Sequence, residues 1–285
     1  MTDLPTAVRA VLDDPPVPAS IHVPAAGIRF HALVWGDADL PPLLLVHGIT
    51  SSAEVWWRVG PALGVALNGR VVAVDQAGHG RTEGWAGGIR FRDNAGHLAA
   101  FVEAAGLARP DLRIVGHSWG GVTAAAFPVV GVIPEVLVLL DPPVLPMAAI
   151  LAMLDDPVER HYDRFDHARE NLARAHPDWN DGDVDAKARA LVEFDEPAVR
   201  AVLTEDQDWD GGLGALADPA AAGRPIRLVR GDEASGGLIP DGIVHRFVER
   251  LGAANVETID GGGHSPMRVR PVETTAALIR ALRPA

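Results

Sequence analysis

One serine in the sequence lies in a pattern that prepares a hydroxyl group for nucleophilic attack. Ser118 stands in residues 116–120, Gly-His-Ser-Trp-Gly, after the apolar run 112–115 and before a segment of helical pattern. A serine on so tight a strand-to-helix turn has a strained backbone and needs small neighbours. Its hydroxyl projects at the start of the helix, where free backbone N–H groups favour negative charge. The pattern predicts that Ser118 is a nucleophile.

A serine hydroxyl is a weak nucleophile unless a base takes its proton. The sequence holds 11 histidines, so their positions have to select among them. His264 lies in residues 261–266, Gly-Gly-Gly-His-Ser-Pro, between the last predicted strand and the last predicted helix. We expect this flexible loop at the same strand-end edge as Ser118, and we predict that His264 is the general base. Weaker candidates, expected to brace loops or line the pocket, are His47, His79 and His117.

The elements that must position these residues alternate between strand and helix patterns. Apolar runs of strand length occur at 28–35, 42–46, 70–74, 112–115, 136–140, 226–229 and 256–259. Helical patterns occur near 54–67, 91–105, 119–130, 242–251 and 271–282. Strands that are apolar on both faces and separated by helices indicate an α/β fold, with a mostly parallel central sheet flanked by helices. The early segments 21–23 and 28–35 are expected to form an antiparallel hairpin leading into that sheet.

One region interrupts the alternation. Residues 146–223 contain no strand pattern, and their composition is helical and acidic. An insertion of this length between two strands is too long for an ordinary loop. We predict a helical cap over residues 146–223 and a core domain made of residues 1–145 and 224–285. An extra helical layer with no part in the site is the alternative, and the acidic residues of the insertion are expected to form a solvated helical face.

The composition limits the classes of partner. The 285 residues carry a formal net charge of −13, and such an acidic surface repels nucleic acid and anionic lipid. There is no cysteine, which excludes disulfides and thiolate metal sites. No long apolar run predicts a membrane span, and the first twenty residues lack the pattern of a secretory signal. We therefore expect a cytoplasmic protein with a small-molecule substrate, no nucleic acid or membrane partner, and a monomeric or homodimeric state.

Four motifs together resemble the α/β-hydrolase family: His-Gly at 47–48 after a strand, the turn 75–80, the glycine-rich elbow 116–121, and the late His264. The resemblance covers most of the chain outside the cap. In this family the backbone N–H groups after His-Gly and after the nucleophile form the oxyanion hole, which here implies Ile49 and Trp119. Two fixed donors aimed at a developing oxyanion can lower the barrier by several kcal/mol.

The acid of the family's catalytic triad has two candidates. The family usually places it three residues after the glycine that ends the seventh strand, but that position here is Ala234. Asp232 lies near this position, out of register. Asp141 ends the preceding strand, where some α/β-hydrolases, including one branch of the haloalkane dehalogenases, carry the acid. We predict Asp141, with Asp232 as the alternative; its role is to orient the imidazole and stabilise the imidazolium.

Residues 47–52 and Trp56 also resemble the haloalkane dehalogenase loop, but the chemistry differs. Those enzymes use an aspartate nucleophile where this chain has Ser118, and Ile49 has no side-chain amide to hold a halide. The same serine argues against an epoxide hydrolase. The sequence instead predicts a serine esterase that cleaves small to medium carboxylic esters through an acyl-enzyme, and no metal or organic cofactor is implied.

Substrate contacts and two alternative functions remain open. Apolar lining is expected from Trp56, Met147 and Met267, each of which is as consistent with ordinary core. A lactonase or a carbon–carbon bond hydrolase would use the same triad. A basic pocket residue would favour the carboxylate-bearing substrates of the carbon–carbon hydrolases, and Arg81 and Arg268 are the candidates unless they form surface salt bridges. A ligand-sensing receptor on the same fold is the alternative from another class.

Overall fold

The computed structural model describes residues 4–84, 90–205 and 208–284. Within these ranges eight strands form one sheet in the order β1-β2-β4-β3-β5-β6-β7-β8. The strands are β1 Ala19–Ala25, β2 Ile28–Trp35, β3 Pro42–Val46, β4 Arg70–Val74, β5 Arg113–His117, β6 Val136–Leu140, β7 Ile226–Gly231 and β8 Val256–Ile259. The first two strands form an antiparallel hairpin, and β2 also pairs antiparallel with β4. All the other pairs are parallel, so the predicted mostly parallel sheet is confirmed.

Helices cover both faces of the sheet. They are α1 Thr6–Asp13, α2 Val59–Leu67, α3 Phe91–Ala104, α4 Trp119–Ala125, α5 Met147–Ala152, α6 Phe165–Ala175, α7 Asp181–Glu193, α8 Glu196–Glu205, α9 Leu213–Leu216, α10 Val244–Leu251, α11 Pro266–Val269 and α12 Pro271–Ala281. One apolar core joins the sheet to α3 and α10, and a second joins it to α1, α2 and α12. The central strands β3 and β6 are buried at every residue, because each contributes side chains to both cores.

Two predicted helices are each divided in the structure. The pattern at 54–67 becomes a 3₁₀ turn, Ala53–Trp56, followed by α2, and the pattern at 119–130 becomes α4 followed by a 3₁₀ turn, Phe127–Val130. In the second case Pro128 lies in the first turn of the 3₁₀ segment, and proline cannot supply the N–H that a continuing α-helix needs. The division shortens the helix that begins directly after Ser118.

The long insertion between β6 and β7 is helical, with α5 to α9 lying inside it. A third apolar cluster connects these helices to Ile49 and Trp119, the residues beside the predicted nucleophile. The helices are therefore packed at the carboxyl ends of the strands. That they form a separate cap domain over residues 146–223 stays a prediction. None of the described helices is long and apolar enough to cross a membrane.

Candidate active site

The turn at Ser118 has the strained geometry that its sequence predicts. Ser118 has φ 56° and ψ −128°, in the left-handed half of backbone space that residues with side chains rarely occupy. A Cβ at Gly116 would lie 2.3 Å from the carbonyl oxygen of Gly120, and one at Gly120 would lie 2.3 Å from the carbonyl oxygen of His47. Only glycine fits at these two positions, because the turn packs backbone against backbone. The turn places the Ser118 hydroxyl at the amino end of α4.

Three predicted residues meet in one hydrogen-bonded row. His264 Nε2 lies 2.9 Å from Ser118 Oγ, and His264 Nδ1 lies 2.7 Å from Asp141 Oδ2. Ser118 follows β5, Asp141 follows β6, and His264 follows β8, so the carboxyl ends of three parallel strands bring them together. If Nδ1–H donates to the carboxylate, Nε2 presents its lone pair to the serine hydroxyl. This arrangement can take a proton from Ser118 as its oxygen attacks an electrophile.

Asp141 is held rigidly. Its side chain is fully buried and accepts hydrogen bonds from the backbone N–H groups of Gly231, at 3.1 Å, and Leu238, at 3.0 Å. Its φ is 43°, a strained value for a residue with a side chain. Asp232 lies elsewhere: its carboxylate accepts from Ser235 Oγ at 2.8 Å and from Gly262 N at 3.2 Å. The structure thus places Asp141, and not Asp232, against the imidazole.

The two amides predicted for an oxyanion hole flank the serine. Trp119 N is at the start of α4, and Ile49 N follows Gly48, whose Cβ, if present, would lie 2.7 Å from Ser118 Cβ. In the part of the chain that the structure describes, neither amide donates to another protein group. Ile49 and Trp119 are both buried. Free N–H groups at a helix start beside a nucleophile can donate hydrogen bonds to a developing negative oxygen.

Three buried histidines surround the row. His117 Nε2 donates to the carbonyl oxygen of His264 at 2.7 Å and so fixes the loop that carries the imidazole. His47 Nδ1 donates to Gly48 O at 2.7 Å, and its Nε2 accepts from Gln76 N at 3.0 Å. His79 Nδ1 donates to Ala77 O at 3.0 Å. From the sequence, these residues were expected only to brace loops or to line the pocket. The hydrogen bond from His117 to the backbone of His264 has no signal in the sequence.

Burial keeps these three histidines neutral. It lowers the pKa of His47, it lowers that of His117 well below the usual value, and it lowers that of His79 to about 3. Protonating both rings of a pair, His264 with His117 or His47 with His79, would place two positive charges side by side, which lowers the pKa of His117 and His79 further. Each of these rings has to lose its proton when the chain folds at mildly acidic pH.

We expect the free energy of unfolding to fall as the pH drops from about 6.5 towards 4. The unfolded chain takes up protons below the ordinary histidine pKa of about 6.5, whereas the folded chain does not, at a loss of about 1.4 kcal/mol per pH unit for each such histidine. Asp183 and Glu193 partly offset this slope, because burial raises the pKa of their carboxyl groups. Urea unfolding between pH 7.5 and 4.5 measures the slope. NMR titration isolates His79, and a ring titrating near pH 6.5 would contradict the assignment.

A cavity of about 260 Å³ opens at the row. Gly48, Ser118 and His264 form its floor, and the inserted helices supply much of its apolar wall, through Ile150, Met153, Leu154, Phe194, Val199 and Leu203. The predicted contacts differ from this wall. Trp56 and Met267 lie in the core between the sheet and α2, with 0% and 1% of their surface exposed, and Met147 packs in the third apolar cluster. None of the three lines the cavity, because each completes a core layer instead.

Charged side chains also line the cavity, and of these the sequence analysis named only Arg268 as a candidate. Lys187, in α7, is 3% exposed, forms an ion pair with Glu159, and donates to the carbonyl oxygen of Thr50 at 2.8 Å. Asp183 is 1% exposed and forms an ion pair with Arg58. The acidic residues of the insertion are therefore not all on a solvated face, since Asp183 is in a buried pair.

The two predicted basic candidates have different positions. Arg81 has a side chain 42% exposed and forms an ion pair with Glu54 at 3.1 Å, away from the cavity. Arg268 is 6% exposed and lines the cavity. Burial lowers the pKa of its guanidinium, and the carboxylates of Asp183 and Glu159 oppose that shift. Within residues 4–84, 90–205 and 208–284, no group of three or more histidine, aspartate or glutamate side chains is placed to hold a metal ion.

Comparison with known proteins identifies the family of the chain. Lipase LipV of Mycobacterium tuberculosis is 28% identical over 277 residues, which cover 90% of this chain and 99% of the lipase. A haloalkane dehalogenase of Mesorhizobium japonicum is 34% identical over 94 residues, 33% of this chain and 28% of that protein. Among solved structures, E-2-(acetamidomethylene)succinate hydrolase superposes with a TM-score of 0.77 at 20% identity, over 93% of this chain and 99% of that chain. A sequence profile of the alpha/beta hydrolase family matches residues 43–278, and the chain therefore belongs to that family.

Proposed function

We propose that this protein is a serine esterase that hydrolyses small to medium carboxylic esters. The observation that carries the proposal is the continuous row of Ser118, His264 and Asp141, with contacts of 2.9 Å and 2.7 Å, opening on a cavity of about 260 Å³. A serine nucleophile forms an acyl-enzyme, whereas the dehalogenase and epoxide hydrolase reactions depend on an aspartate nucleophile. The relative matched along nearly its whole length is named a lipase, which agrees with ester cleavage.

In the first half of the reaction Ser118 Oγ attacks the ester carbonyl carbon. Its proton passes to His264 Nε2, and the carbonyl electrons move to the oxygen, which the N–H groups of Ile49 and Trp119 stabilise. Asp141 stabilises the imidazolium through Nδ1–H without taking its proton. When the tetrahedral intermediate collapses, the carbon–oxygen bond to the alcohol breaks. The leaving oxygen takes the proton from His264, and the acyl group stays on Ser118.

In the second half a water molecule repeats these steps. His264 takes its proton as the water oxygen attacks the acyl carbon, and the same two N–H groups hold the oxyanion. The bond to Ser118 Oγ then breaks, Oγ recovers the proton from His264, and the carboxylic acid leaves. The balance is one ester and one water converted to one acid and one alcohol, with no cofactor.

The cavity wall supports a limited substrate size. We propose that the inserted helices, residues 146–223, act as a cap, because their apolar side chains line the cavity into which Ser118 and His264 open. A cavity of about 260 Å³ holds a short acyl chain and a small alcohol, and it is close to the lower limit of about 300 Å³ for ordinary ligand pockets. A lactone is a cyclic ester and would react at the same row, so lactones belong in the substrate series.

The test is turnover of a p-nitrophenyl ester series from acetate to octanoate, together with a fluorophosphonate that labels active serines. We expect hydrolysis that falls off at the longer acyl chains, and a single label that peptide mass spectrometry assigns to Ser118. Absence of both turnover and label would exclude the esterase and leave a receptor on this fold. A label on Ser118 without ester turnover would instead indicate a narrower hydrolase, with lactones and carbon–carbon substrates tested next.

A further inference from the structure

Arg268 lies near a group of charged side chains whose other members are already paired with one another. Arg58 donates to the carboxylate of Asp183, which also accepts from Trp57 Nε1 at 2.9 Å. Lys187 forms an ion pair with Glu159, which also accepts from Thr50 Oγ1 at 2.9 Å. Both carboxylates are therefore engaged by cations and neutral donors other than Arg268.

Among the described residues, Arg268 is the cation of this group that has no ion pair. It is 6% exposed, its Nε is buried without a hydrogen-bond partner, and no described protein group accepts a hydrogen bond from its guanidinium. The guanidinium carbon lies 4.6 Å from the centre of the Trp179 ring, in a cation–π contact that orients the guanidinium but supplies no hydrogen-bond acceptor. Burying a charged group with its donors unsatisfied costs several kcal/mol. A protein recovers such a cost when a ligand supplies the missing acceptor.

The position of Arg268 connects it to the reaction. It follows His264 by one short turn, in α11, and it lines the same cavity as Ser118 and His264. A planar guanidinium binds a carboxylate through two parallel N–H···O bonds, which the flexible ammonium of Lys187 cannot match. Since Asp183 and Glu159 are already engaged, an incoming carboxylate would meet a free fork and not displace an ion pair.

We propose that Arg268 is a binding residue for a carboxylate on the substrate, so that the preferred esters carry a free acid group besides the bond that is cleaved. This proposal rests on the esterase function and narrows its substrate class. The fork holds the carboxylate at the wall, and the ester carbonyl reaches Ser118 on the floor. The substrate is a half-ester of a dicarboxylic acid, or a hydroxy acid that is acylated on its hydroxyl group and keeps a free carboxylate.

Two matched ester pairs test the proposal. Mono-4-nitrophenyl adipate is compared with 4-nitrophenyl hexanoate, and 4-acetoxybenzoate with phenyl acetate, which place the carboxylate on the acyl side and on the alcohol side. For the wild type we expect kcat/KM to favour the acid in at least one pair. In Arg268→Gln this preference should fall about 10- to 100-fold, the worth of a charge-assisted hydrogen-bond pair. Arg268→Lys keeps the positive charge but loses the planar guanidinium, so it should retain part of the preference for the acid.

Arg200→Gln is the matched control, because Arg200 also lines the cavity but is exposed. An exposed charge is screened by water, so its removal should change the preference less than about twofold. Equal losses in the Arg200 and Arg268 variants would indicate only a general positive potential, and would overturn the assignment to Arg268.

Calorimetric binding gives a readout that does not depend on turnover. Adipate should bind the wild-type protein more tightly than adipamide, and Arg268→Gln should remove the difference, with thermal unfolding checking that the variant is folded. If Arg268→Gln does not fold, Arg268→Lys takes its place, and the difference between adipate and adipamide should become smaller in that variant. Equal binding of the two, together with hydrolysis of neutral esters, would overturn the Arg268 proposal and leave the esterase intact. Hydrolysis of neither ester would reject the proposed function itself.

Discussion

Replacing Ser118 by alanine is expected to lower kcat for a short p-nitrophenyl ester by about five to six orders of magnitude. The Oγ atom lies 2.9 Å from His264 Nε2, and in the proposed mechanism it is the only atom that bonds to the acyl carbon. Without it the imidazole can activate only water that the turn does not position. A small residual rate should remain, because the amides of Ile49 and Trp119 can still stabilise an oxyanion.

The matched control is Ser265→Ala, the same change at a serine that also lines the cavity. Ser265 takes no part in the row, so we expect its kcat within about threefold of the wild type. Steady-state kinetics with circular dichroism of each variant makes the comparison, and the phosphonate label should disappear only from Ser118→Ala. Retention of more than about 1% of wild-type turnover in Ser118→Ala would mean that another group is the nucleophile.

The placement of Ser118 and His264 side by side could be predicted because local constraints determine the positions of both residues. The glycines at 116 and 120 are required by backbone contacts of the turn itself, and those contacts leave a pattern within five residues. His264 was identifiable because a glycine-rich loop follows the last strand. The predicted bounds of β3 and β6 match the structure because these strands are buried on both faces and are apolar at every position, whereas the predicted bounds of β1, β5 and β7 differ from the structure by one or two residues at one or both ends.

The cavity wall was not predictable, because its members come from distant parts of the chain. Lys187 contacts Glu159 and Thr50 only after the insertion folds onto the strand ends. From composition alone, the acidic segment was predicted to be exposed to solvent. Trp56 and Met267 were expected on the cavity from residue type alone, yet aromatic and methionine side chains fill core layers equally well. Whether such a side chain faces the core or the cavity depends on its position around the helix, which the spacing of residues in the sequence did not determine.

The choice of acid illustrates the same limit at the centre of the site. The sequence favoured Asp141 and kept Asp232, at the end of the adjacent strand, as the alternative; the folded geometry shows which of the two faces the imidazole. Asp141 is fully buried and lies 2.7 Å from His264 Nδ1, while Asp232 bonds to Ser235 and to the backbone of Gly262. Ser235 Oγ holds the pKa of the Asp232 carboxyl below its usual value. Both carboxylates therefore accept hydrogen bonds, but only that of Asp141 accepts one from the imidazole.

We therefore expect Asp141→Asn to lower kcat about 10⁴-fold and Asp232→Asn to lower it by less than about threefold. An asparagine amide at 141 can donate to Nδ1, which would leave the proton on Nε2, so that the imidazole could no longer accept a proton from Ser118. The isosteric change keeps an oxygen for the N–H of Gly231 or Leu238, so the fold should persist. Steady-state kinetics on the same ester decides between the two acids. A large loss in Asp232→Asn and a small one in Asp141→Asn would transfer the orienting role to Asp232 without altering the acyl-enzyme chemistry, because that chemistry depends on Ser118 and His264 alone.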